Sequence, residues 1–176
     1  ISEETVAANT ILLHFIMLSA YICDAYAFST EGIVGYSIGS KNLKLLKDVI
    51  KNSFILNTVT GLVICLIVFL SKNYYIMLMT DLSAIREISF SYSYWAIIIP
   101  FAASFCFLFD GIFIGASQTR ELRNAMIASV AIYIVISFIL IASFGNTGLW
   151  LSLCIFFIAR ALTLFVYMPR IYRRIS

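Results

Sequence analysis

The chain has 176 residues, of which 62% are hydrophobic and 12% charged, with a net charge of +3 and a mean hydropathy of +0.99. A soluble domain is about 45–50% apolar and about 25% charged, so water is not the main solvent of this chain. The small positive excess forms no nucleic-acid surface, and apolar runs that are continuous rather than alternating, such as 59–70 and 125–142, exclude a membrane β-barrel in favour of spanning helices of about 20 residues.

These features predict an all-α, polytopic integral membrane bundle with five transmembrane helices, over residues 5–39, 49–70, 88–116, 124–144 and 147–168. Short polar joints separate them at 40–48, 71–87, 117–123 and 145–146. No charged segment precedes a short apolar block, so no signal peptide is expected. A first residue of isoleucine suggests a piece of a longer protein.

The first span is long: about 34 residues at about 1.5 Å each exceed a hydrocarbon core of about 30 Å, so it must tilt or protrude, and its polar start at 2–9 is the protruding part. An ionisable side chain inside lipid is costly and marks a candidate site. This span holds Asp24 and Glu31, seven residues apart and therefore within about 20° on one face and about 10 Å apart along the axis. Tyr21 and Phe28 share that stripe, giving an aromatic and acidic surface suited to an organic cation or a proton. The structural alternative is that Glu31 only reaches the membrane interface. His14, nearer the outer end, reads as an ordinary hydrogen-bonding residue.

In the third span Pro100 removes one backbone donor and is expected to kink the helix, which could then line a cavity. Asp110 follows among aromatics, in Phe-Leu-Phe-Asp-Gly-Ile-Phe, as a second candidate for exchanging protons or cations. The pairs Gly35 with Gly39 and Gly111 with Gly115 have the four-residue spacing of close helix packing. The fifth span carries Arg160, expected to snorkel or to pair with an acid. Cys23, Cys65, Cys106 and Cys154 each stand singly in apolar runs and read as small buried hydrophobes, with no metal-ligand spacing.

Positive residues stay on the cytoplasmic side. Lys41, Lys44, Lys47, Lys51, Arg120, Arg123, Arg170, Arg173 and Arg174 fall on one side of the five-span layout, against Lys72 and Arg86 on the other. The expected orientation is an N-terminus outside and a C-terminus in the cytoplasm, in a plasma (inner) membrane.

The run Ala7-Ala8-Asn9-Thr10-Ile11-Leu12-Leu13, then Tyr21-Ile22-Cys23-Asp24-Ala25-Tyr26-Ala27-Phe28 leading to Glu31-Gly32-Ile33-Val34-Gly35, resembles transmembrane helix eight of multidrug and toxic compound extrusion (MATE) transporters. Phe109-Asp110-Gly111-Ile112-Phe113-Ile114-Gly115-Ala116, followed by Thr119-Arg120 and Arg123 to Met126, is similar to helix ten and its exit loop. Asn146 to Trp150, with Ala159-Arg160-Ala161, is similar to helix twelve, and the set lies nearest the DinF-like branch. The resemblance implies helices eight to twelve of a twelve-helix protein built as two six-helix lobes, with the N-terminal lobe and helix seven absent. It implies export of xenobiotic compounds against protons or sodium ions, with the acid matching Asp110 contributing to a cation site in some members. The glutamate that accompanies it on helix seven, and the helix-one acid usually assigned to coupling in this branch, lie outside these residues.

The expected function is therefore a secondary antiporter with Asp24, Glu31, Asp110, Tyr21 and Arg160 as substrate- or ion-binding residues and a cationic or amphiphilic small molecule as substrate. No catalytic residue, metal, cofactor or nucleic-acid partner is expected. A lipid-linked precursor flippase of the same superfamily is the alternative, disfavoured by acids where several basic residues would line its cavity. An intramembrane aspartyl protease using Asp24 and Asp110 is a remoter one, since Gly-x-Gly-Asp, His-Glu-x-x-His and Gly-x-Ser-x-Gly are all lacking.

Overall fold

A computed structural model describes residues 2–173. Backbone polar groups in an apolar slab must be satisfied within the segment, and the chain answers with four helical elements: α1 (Glu3–Gly39), α2 (Leu43–Met79), α3 (Ser83–Gly115) and α4 (Thr119–Tyr172). All four are long and apolar enough to cross a membrane.

Four elements replace the five separate helices expected. The spans at 124–144 and 147–168 are the two helical arms of the 54-residue α4, separated at Gly145, which leaves the helical region at φ 56° and ψ −129°. That backbone region is essentially reserved for glycine. The arms double back on each other: a Cβ at Gly148 would strike the Leu140 carbonyl, and the Tyr133 and Phe156 rings meet with centroids 5.8 Å apart. The second element is also longer than the 49–70 expected, reaching Leu43–Met79, since helical hydrogen bonds persist through polar turns beyond the apolar stretch. The joint at 71–87 shrinks accordingly to 80–82.

Local chemistry sets the ends. Ser2 accepts from the Thr5 amide at 3.2 Å and opens α1. Both α1 and α3 close with the same pair of backbone bonds around a residue of positive φ. Lys41 (φ 52°) donates to the Ile38 carbonyl and Asn42 to that of Ser37, while Ser117 (φ 53°) donates to Ile114 and Gln118 to Phe113. The end of α2 is held by Arg86, which donates to the carbonyls of Met77 at 2.9 Å and Thr80 at 2.7 Å.

Helices in lipid gain little from hydrophobic burial against each other and associate through close packing and hydrogen bonds. The tightest seam joins α1 to α3. A Cβ at Gly111 would overlap the Ala27 carbonyl, and one at Gly115 would overlap that of Glu31. Gly35 packs on the Gly115 carbonyl, whereas Gly39 has open space, so the expected pairs serve the seam except at Gly39. Pro100 is buried and α3 runs through it as one element. Three cysteines are buried as expected, while Cys65 is half-buried and donates to the Ile97 carbonyl at 3.2 Å.

The buried side chains form two apolar clusters stacked along the helix axes. One gathers Leu12, Phe15, Ile64, Val68, Ile99 and Trp150. The other gathers Val34, Leu46, Ile112, Phe113, Ala125 and Leu164. Between them, on every helix, lies a stretch containing polar side chains.

Candidate functional site

Two hydroxyl and amide links lie in that intermediate belt: Thr30 Oγ1 to Ser53 Oγ at 3.1 Å, and Asn57 Nδ2 to Ser104 Oγ at 3.1 Å. Beside them α3 supplies Asp110 and the second arm of α4 supplies Arg160. The Arg160 Nη2 donates to Asp110 Oδ2 at 2.7 Å, with the side chains only 14% and 20% exposed. The expected pairing of Arg160 with an acid is thus realised.

This pair is only half-satisfied. A guanidinium and a carboxylate can meet through two parallel bonds, yet Asp110 Oδ1 and Arg160 Nε are buried with no hydrogen-bond partner among the described residues. Each such orphan costs about 1–3 kcal/mol. A carboxylate held by one oxygen keeps the other free for a proton or a cation. Asp24, half-buried on α1, lies close enough to Asp110 for its charge to act on it, and has no hydrogen bond or ion pair among the described residues. The Ala27–Gly111 seam brings those two acids to one level of the bundle.

The remaining sequence-derived residues are placed differently. Tyr21 and Phe28 are 65% and 72% exposed, so the stripe they share with Asp24 and Glu31 forms an open face of α1. Glu31 is half-buried beside Gly115 and joins no ion pair among the described residues. His14 is exposed. Among the described residues no group of three or more His, Cys, Asp or Glu could hold a metal ion. An apolar groove of about 320 Å³, lined by Phe54, Phe105, Phe109, Ala161, Leu162 and Phe165, adjoins the ion pair through the neighbours of Asp110 and Arg160.

A second polar cluster was not singled out from side-chain type. Asn9 and Asn146 exchange bonds of 2.6 and 3.0 Å, and Trp150 Nε1 donates to Asn9 Oδ1 at 3.0 Å, all buried. The available signal was the amide of Asn9 ahead of an apolar run. This cluster ties the start of α1 to the turn of α4. Asn9→Leu strips partners from both Asn146 and Trp150, and a loss of about 1–3 kcal/mol in unfolding free energy is expected. Denaturation in detergent or bicelles, followed by tryptophan fluorescence, measures it.

The described residues thus form a helical bundle fit to cross a membrane, with a part-buried acid–base pair in its polar belt. Residues 1–139 match the MatE family, and the chain belongs to it; the family is one of membrane transporters rather than enzymes. The chain is 29% identical over 164 residues to DNA damage-inducible protein F of Escherichia coli (strain K12), covering 93% of this chain and 36% of that protein. Its fold is similar to that of the crystal structure of the eukaryotic MATE transporter AtDTX14, with a TM-score of 0.86 at 13% identity over 99% of this chain and 42% of that one. The chain therefore spans well under half the length of either relative.

Proposed function

We propose that this chain supplies helices eight to twelve, most of the C-terminal lobe, of a secondary active efflux transporter that exchanges organic compounds for protons or sodium ions. The hairpin form of α4 is compatible with five crossings, and the charge distribution supports an N-terminus outside and a C-terminus on the cytoplasmic side of a plasma membrane. The N-terminal lobe and helix seven would come from other parts of the same protein.

The observation that carries this reading is the part-buried, singly bonded Asp110 with an unpaired acid, Asp24, at the same level. Binding of a proton or cation at Asp110 weakens its hold on Arg160 and so changes the contact between α3 and the second arm of α4. A ligand shifts a two-state equilibrium only through its differential affinity for the two states, and this contact supplies such a difference. Tyr21 and Phe28 on the open face, beside Asp24 and Glu31, offer stacking and charge to a cationic or amphiphilic substrate.

Asp110→Asn keeps the shape of the side chain and removes its charge. In proteoliposomes of the full-length protein, cation-driven export of a dye substrate is expected to drop to background while the protein remains folded by gel filtration. Export at the parental rate would remove Asp110 from the coupling mechanism.

A further inference from the structure

Cys106 does more than fill space. It lies four residues before Asp110, one turn away on the same face of α3, and is buried. Its Sγ donates to the Phe157 carbonyl, on the second arm of α4, at 2.9 Å. The Ala161 amide is close enough to the same sulfur to act on it. Phe157 and Ala161 are acceptor and donor of one helical step, since an amide bonds the carbonyl four residues back. A thiol both donates and accepts, so Cys106 seats at that step of the ladder, where an inserted side chain can alter the course of a helix. Arg160 is the residue next to Ala161.

With Asp110 as the ion-exchanging group of the proposed transporter, we infer that Cys106 is a positioning residue: it sets the height of Arg160 beside Asp110 and so keeps their ion pair singly bonded. A side-on guanidinium meets a carboxylate through Nε and Nη2 together. Here Nη2 holds Oδ2, while Nε and Oδ1 are the two atoms left over. The unmade bond is the one between them. An arm of α4 free to settle would make it, because two buried orphans are costly. The thiol contact one turn away holds the arm short of that closure. A carboxylate held by one bond gives up Arg160 to a proton or cation more readily than one held by two. Among the described residues the other charged group acting on Asp110 is Asp24 on α1.

The test is export by the full-length protein in proteoliposomes as the driving proton or sodium concentration is varied, in Cys106→Ala, Cys106→Ser and Cys154→Ala. Cys154 is the control: it is buried on the same arm of α4 and makes no hydrogen bond among the described residues. Cys106→Ala is expected to raise the half-maximal ion concentration about fivefold, the worth of one ordinary hydrogen bond. Cys106→Ser keeps a donor and an acceptor and should restore the parental value, and Cys154→Ala should not move it. An unshifted or lowered half-maximal concentration in Cys106→Ala, or an equal shift in either other variant, would overturn the inference.

Equilibrium unfolding of the same protein gives a readout that does not depend on transport. The effects of Cys106→Ala and Arg160→Met should be non-additive, as for residues in one network. Additive effects would overturn the positioning role whatever the export. Non-additive effects in a protein whose export needs neither ion would uphold that role and overturn the transport reading instead.

Discussion

Arg160→Met is expected to lower unfolding free energy by up to about 3–5 kcal/mol, because removing one partner of a largely buried ion pair strands the other charge. The stranded group is Asp110, 20% exposed and already short of one partner for Oδ1. Adding Asp110→Leu to the same protein should recover most of that loss, since replacing both members of a buried pair by apolar groups is often neutral or stabilising. Export should not recover, because the double variant lacks the carboxylate that exchanges the proton or cation. Equilibrium unfolding in bicelles and vesicle transport assays, run on the two single variants and the double, separate the architectural role of the pair from its transport role. A double variant that is stable and still exports would show the pair to be purely structural.

Gly111→Val carries the second large effect. Its side chain would enter the Ala27 carbonyl, an atom of helix backbone that cannot swing aside. The seam must open, and overpacking of this kind costs about 1–3 kcal/mol in unfolding free energy. Opening it also moves Asp110, the adjacent residue, away from Asp24. A fall in export larger than the fall in folded protein is therefore expected, read as transport per folded molecule after quantifying the fraction that resists aggregation on heating. Gly39→Val, where a Cβ meets nothing within 4 Å, is the control and should leave both unchanged.

Much of this architecture was legible because lipid imposes few solutions. Continuous apolar runs had to be helices, and the seven-residue spacing of Asp24 and Glu31 put them on one stripe, where Tyr21 and Phe28 now show an open face. Asp110 and Arg160 stood out because charge is scarce in such runs. What the residues could not reveal was that these two meet, 50 positions apart, or that only one of the two possible bonds forms. Helix ends were misjudged for a physical reason: hydropathy reports where the apolar part of a helix stops, while hydrogen bonding carries α2 on to Met79. The Asn9 cluster stayed hidden because an amide in an apolar run names no partner; the 137-residue gap to Asn146 closes only when α4 turns at Gly145.

The order of Asp110 and Arg160 along the chain bears on biogenesis. A lone charge at the bilayer centre costs about 2.5–3.5 kcal/mol on the insertion scale, an upper bound for these two residues, since Asp110 lies five residues from the end of α3. Synthesis delivers the acid first, within α3, and the base 50 residues later, in the returning arm of a tight hairpin. The arginine thus arrives at a membrane in which its counter-charge already waits, and the glycine turn lets both arms partition together. The second arm, made without α3, has no such welcome and should insert poorly.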